Sequence, residues 1–113
     1  MPRRSRRQLE ASVASALTDA ERAIAHYELG LFHDNNGRER EAIPHYERAL
    51  VLGLPSEMQA ACLAWLASSL FKTSRPHEAL LRLQQSHEHE PDADLRTFLN
   101  GLERRIRRRS AGV

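Results

Sequence analysis

The sequence predicts an all-α protein built from repeated helical hairpins, with one extra helix at each end. Three observations carry that expectation. Apolar residues recur at three- and four-residue spacing along most of the chain. The composition is rich in Ala, Leu, Glu, Arg and Gln, while aromatics make up only 5%, a balance that favours helix over strand. Finally, the stretch from Ala23 to Leu50 reads as two amphipathic helices around a tight turn, and a looser copy follows it directly.

Each element has its own local signals. Ser5, with Gln8 three residues on, suits the cap of a first helix whose apolar stripe is Leu9, Val13, Ala16 and Leu17. Thr18 with Glu21 repeats the capping pattern, so a joint is expected near 18–19. A single helix from about 6 to 35 is the alternative. Helix two ends around His33–Asn35, because Asn35, Asn36 and Gly37 tolerate left-handed backbone. Helix three runs from about Arg38 to Leu52 and turns Ala42, Tyr46, Ala49 and Leu50 inward. Pro44 falls early in it, and a start at Arg38 places that proline in the second turn. Gly53-Leu54-Pro55 then stops the helix.

Ser56 with Gln59 forms a third capping pattern ahead of helix four, expected over about Glu57 to Lys72 with Leu63, Leu66, Ala67 and Leu70 inside. Thr73-Ser74-Arg75 makes the next turn, and Pro76 suits the first position of helix five. That helix turns Ala79, Leu80 and Leu83 inward and ends near His87–Glu90. Asp92 is the expected cap of helix six, whose stripe is Leu95, Phe98, Leu99, Leu102 and Ile106. The resulting organisation is a flexible basic segment 1–7, one helical domain over 8–109 and a tail over 110–113. Within the domain, units at about 20–55 and 57–91 precede a capping helix at about 92–109.

The repeated pattern resembles the tetratricopeptide repeat. Leu29-Gly30 matches the Leu-Gly pair of its first helix, Ala42, Tyr46 and Ala49 match its second-helix signature, and Pro55 closes the unit. The second unit follows with Leu63, Leu66-Ala67 and Leu70, then Ala79, Leu83, Ser86 and Pro91. The offset from Ala42 to Ala79 is 37 residues, against the usual period of about 34. Gly101 falls where a third unit would carry its glycine, but no partner helix follows. His26 and His33 stand where the pattern has packing aromatics. Overall the chain resembles small bacterial proteins of this family, which implies a right-handed α-solenoid acting as a non-enzymatic, cytoplasmic protein-binding scaffold. By the same resemblance a concave groove is lined by Ile24, Tyr27, Leu31 and Asn35 from the first unit, and by Ala61, Ala64, Ser68, Phe71 and Lys72 from the second. Independently, Trp65 lies about 160° around its helix from the Leu63/Leu66/Leu70 stripe, which suits an anchor for a partner. The lysine and asparagine set that grips a carboxylate in chaperone-binding members is not reproduced, since Tyr27, Leu31, Ala64 and Ser68 occupy those places.

Other chemistries find little support. The one cysteine, Cys62, rules out an internal disulfide or a cysteine-based zinc site and fits a reducing compartment. No apolar run approaches the roughly 18–20 residues of a membrane span. His87 and His89, two apart at a helix end, do not share a face, so no metal and no cofactor is expected. No catalytic residue is expected either: the Ser and Asp residues sit at caps, and no glycine-rich phosphate loop is present.

Charge supplies the rival reading. Arg3, Arg4, Arg6 and Arg7 lie at one end and Arg104, Arg105, Arg107, Arg108 and Arg109 at the other. The rest of the chain holds eight basic against all fifteen acidic residues, a net of about −7. The expected partner is therefore a protein or peptide, with two alternatives. One is nucleic acid held by phosphate contacts from the five C-terminal arginines. The other is a homodimer that completes an array of only two full units.

Overall fold

The computed structural model describes residues 4–111, which form six α-helices and no strand. They are α1 (Arg6–Ser15), α2 (Asp19–Asn35), α3 (Glu39–Leu52), α4 (Ser56–Lys72), α5 (Pro76–Glu88) and α6 (Ala93–Ala111). The local signals act where they stand in the sequence. Ser5 accepts from the Gln8 amide while the Gln8 side chain accepts from the Ser5 amide, and Thr18 and Glu21 form the same reciprocal cap on α2. The joint between these caps separates α1 from α2, so the single long helix is not formed. Pro76 occupies the first turn of α5, and Asp92 Oδ1 accepts from the Leu95 amide at 2.8 Å to cap α6.

Four details differ from the expectation. Leu17 lies beyond the end of α1 and is 89% exposed, because the chain must leave the helix to reach the Thr18 cap. The basic N-terminal segment is engaged from Arg4 onward: Arg4 bonds Glu28 and Ser12, and Arg6 and Arg7 are helical. Ser56 is the first residue of α4 rather than its cap. α6 runs on to Ala111, past the expected end at 109. The expected ends of the chain, residues 1–3 and 112–113, lie outside the described residues.

The helices cluster into two compact units that divide between Pro55 and Ser56, at the expected turn between repeats. In the first unit α2 and α3 form an antiparallel hairpin with α1 against α2. Gly30 marks the closest approach of this hairpin: a Cβ there would lie 2.5 Å from two ring carbons of Tyr46. Tyr46 is fully buried and donates its hydroxyl to Asp34 Oδ2 at 2.9 Å, which fixes the ring over the glycine. Ala42 and Ala49, both fully buried, are small for the same reason. Pro44 sits in the second turn of α3 on its exposed side, where its missing amide frees the Arg40 carbonyl to meet water.

In the second unit α4 and α5 pair in the same way, and α6 covers them. Leu63, Leu66, Ala67 and Leu70 of α4 meet a core that includes Ala79 and Leu83 of α5 and Leu99, Leu102 and Ile106 of α6. Ser86 occupies a small-residue position, and its buried hydroxyl donates to the Ala60 carbonyl at 2.7 Å. The two hairpins also share one turn. Arg38 donates its amide to His33 O and Arg75 donates to Leu70 O, each at 2.9 Å. The left-handed residue before each is Gly37 (φ 72°) in the first and Ser74 (φ 65°) in the second. The 37-residue offset of the sequence pattern is thus an offset of matched turns.

Candidate protein-interaction surface

The predicted groove residues divide by burial. On α2, Ile24 and Leu31 are half-buried and Asn35 is exposed, whereas Tyr27 is buried at 8% exposure. Tyr27 tilts against Tyr46, ring centroids 6.1 Å apart, and belongs to the hairpin core. On α4, Ala61, Trp65, Ser68 and Phe71 are half-buried and Lys72 is exposed, but Ala64 is fully buried. Tyr27 and Ala64 therefore offer no contact surface. The expectation failed there because both lie at the margin of a helix's inner stripe, where the closeness of the neighbour decides burial.

α1 runs beside the α2 face. Arg4 Nη1 reaches both Glu28 carboxylate oxygens at 3.2 Å, and Leu9, the one buried residue of α1, lies near Leu31 and Phe32. A cleft of about 410 Å³ bordered by Arg4, Leu9, Leu31 and Asn35 remains along this seam. A second, of about 280 Å³, lies between Ser12 and Ile24. The N-terminal helix thus borders three of the four α2 residues expected in the groove.

The α4 face is different. Trp65 meets Phe98 of α6 edge to face, centroids 5.0 Å apart, and both rings remain half-buried. At 100° per residue Ala61, Ser68 and Lys72 lie within about 60° of Trp65, so small and polar residues flank the indole. Phe71 is covered in part by the Arg109 guanidinium, 4.7 Å from its ring centroid.

A feature absent from the sequence expectation lies inside the first hairpin. His45 of α3 stacks between His26 and His33 of α2, with centroid separations of 5.3 and 5.5 Å. His26 and His45 approach through their Nδ1 atoms at 3.0 Å. His33 Nδ1 lies 3.2 Å from Glu41 Oε2 but is not aligned for a hydrogen bond. Burial lowers the proton affinity of all three rings, helped by Arg48 and Arg22 at His26 and by the other two histidines at His45. At His33 burial outweighs the opposing pull of Glu41. The available signal was the seven-residue spacing of His26 and His33, which places both on one face.

The hairpin crossing at Gly30 and Tyr46, with a second hairpin 37 residues on whose turn matches the first, reproduces the pattern that suggested a repeat. The sequence profile described as Tetratrico peptide repeat matches residues 23–105. The chain belongs to the tetratricopeptide repeat family. No curated protein matches it. Tetratricopeptide repeats are in general protein–protein interaction modules and typically lack enzymatic activity. In this tetratricopeptide protein Cys62 is fully buried, and burial pushes its thiol up to about 12, so it is a core residue rather than a nucleophile. Among the described residues no group of three or more His, Cys, Asp or Glu side chains is placed to hold a metal ion. No helix among them is long and apolar enough to cross a membrane.

Both arginine clusters of the repeat protein mix engaged and exposed members, Arg7 being exposed in the first. Arg4 and Arg6 are paired with Glu28 and Glu10. At the other end Arg107 pairs with Glu103 at 2.8 Å and Arg109 lies over Phe71, while Arg104, Arg105 and Arg108 are exposed with no acidic partner among the described residues.

Proposed function

We propose that this tetratricopeptide protein is a non-enzymatic binding module that holds a peptide or helical segment of a partner protein against the outer face of α4. The observation that carries this reading is the Trp65–Phe98 pair. Two large aromatic rings stand edge to face at 5.0 Å, each keeping accessible surface, beside the small residues Ala61 and Ser68. Rings held this way lose little rotamer freedom on binding, so most of their burial energy is available to the complex. Lys72 adds a cation at one end of the face. For the first unit by itself we propose a separate contact region at Ile24, Leu31 and Asn35 of α2, bordered by Arg4 and Leu9. The single free Cys62 supports a cytoplasmic setting for this role.

The test is affinity capture from nuclease-treated native lysate, read by mass spectrometry, with the native protein, Trp65→Ala and Ala61→Arg. Trp65→Ala removes the anchor and should weaken a captured protein by about tenfold or more, the equivalent of about 1.4 kcal/mol. Ala61→Arg leaves the indole in place and obstructs the face beside it, so it should do the same. Equal capture by all three proteins, with helical circular dichroism unchanged, would remove the α4 face from the binding site.

A further inference from the structure

The outer face of α6 is not used by the α4 site. Leu99, Leu102 and Ile106 define the buried side of this helix. At 100° per residue Arg104 and Arg108 point within about 30° of the opposite direction, and Arg105 and Arg107 flank them at about 75–90°. All four are exposed. From Thr97 to Ala111 this outward face carries no carboxylate. Glu103 lies at its edge and engages Arg107.

Gly101 makes the middle of the face bare. A Cβ there would meet only the Arg104 guanidinium, at 3.7 Å, so no neighbouring helix requires the glycine. In the first unit the matching glycine is filled by Tyr46, whereas here the hollow opens outward beside the arginines.

The chemistry of the face selects its occupant. It has no apolar side chain larger than alanine or the threonine methyl, so a protein partner would gain almost no hydrophobic burial while desolvating several guanidinium groups. It has no aromatic residue, so single-stranded nucleic acid would gain no stacking. A duplex requires neither. It presents about one negative charge per 1.7 Å of axis, and guanidinium groups pair with phosphate oxygens in a bidentate manner while remaining near water. We infer that the outer face of α6 binds the phosphate backbone of double-stranded nucleic acid without reading its sequence. Arg104, Arg105 and Arg108 make the contacts, and Arg107 is held in reserve by Glu103.

Binding of the full chain to a labelled mixed-sequence DNA duplex of about 20 base pairs, followed by fluorescence anisotropy, tests this inference. Three phosphate contacts give a slope of log K against log salt of about −2.7, so affinity should fall about 40-fold between about 50 and 200 mM salt. The double variant Arg104→Gln/Arg108→Gln touches no buried group and should reduce the slope to about −0.9. Glu103→Gln releases Arg107 and should steepen it by about 0.9. Trp65→Ala should leave duplex binding intact, which separates this surface from the protein-binding face. Absence of binding at about 50 mM salt, an unchanged slope in the double variant, or equal binding to polyglutamate or to anionic phospholipid vesicles would each overturn the inference.

Discussion

Replacing Gly30 with alanine should destabilise the first unit, although alanine is the better helix former. In an unobstructed helix the exchange gains about 1 kcal/mol. At Gly30 the new methyl would sit 2.5 Å from two carbons of the Tyr46 ring. That ring has no room to withdraw, because it is fully buried and its hydroxyl is held by Asp34 at 2.9 Å. Overpacking of this kind costs about 1–3 kcal/mol. Two contacts at 2.5 Å place the cost in the upper part of that range, about 2–3 kcal/mol, so the steric term outweighs the propensity term and the expected net loss is about 1–2 kcal/mol. Gly101→Ala is the internal control. The same exchange at the matching repeat position meets only the exposed Arg104 guanidinium in ordinary contact at 3.7 Å, so it should raise stability by about 0.5–1 kcal/mol. Urea unfolding of both variants, followed by far-ultraviolet circular dichroism, reads the two signs. A Gly30→Ala protein as stable as the native one, or two variants that shift in the same direction, would refute the assignment of Gly30 to a close helix crossing.

Two further outcomes follow from buried titratable groups. The folded-state pKa values of His26, His33 and His45 lie below the usual histidine value, chiefly through burial, so the unfolded chain binds more protons as the pH falls below about 6.5. Stability is present above that value and is lost on acidification through the lowered folded pKa values. The urea midpoint should therefore drop between about pH 7.5 and 5, and His45→Gln, which removes the central ring, should flatten the drop; an equally steep profile in that variant would exclude the stack as its source. Cys62, its thiol pushed up to about 12 inside the core, should resist a thiol reagent at about pH 8 in the native protein and react at once in denaturant. Rapid labelling of the native protein would show that the α4 core opens readily.

The family profile and the fold agree with the sequence reading because the signals for both are local. The Ser5–Gln8 and Thr18–Glu21 caps, the proline opening α5 and the turns at Gly37 and Gly53 act within a few residues. The pairing of Gly30 with Tyr46 was legible as well, since the repeat places a small and a large residue at fixed separation. The surface was less legible. Tyr27 and Trp65 are both aromatic residues away from the centre of a helix's apolar stripe, yet Tyr27 is closed over by Tyr46 while Trp65 keeps part of its ring accessible. Hydropathy does not distinguish them, because the decision rests on how closely the neighbouring helix covers each ring.

By itself, then, the sequence determined the helical type of the elements, the turns from Gly37 onward and the repeat that pairs them, because backbone hydrogen bonding, capping and apolar periodicity are properties of neighbouring residues. The separation of the first helix from the second stayed open. Only the tertiary structure decided which of the described arginines of the two clusters are engaged. Arg4 finds Glu28, 24 positions away, and Arg109 finds the ring of Phe71, whereas Arg104, Arg105 and Arg108 face outward with no acidic partner among the described residues. It also brought His45 between His26 and His33. Such contacts depend on which helix faces meet in space, and a one-dimensional pattern does not encode the distance between two side chains far apart along the chain.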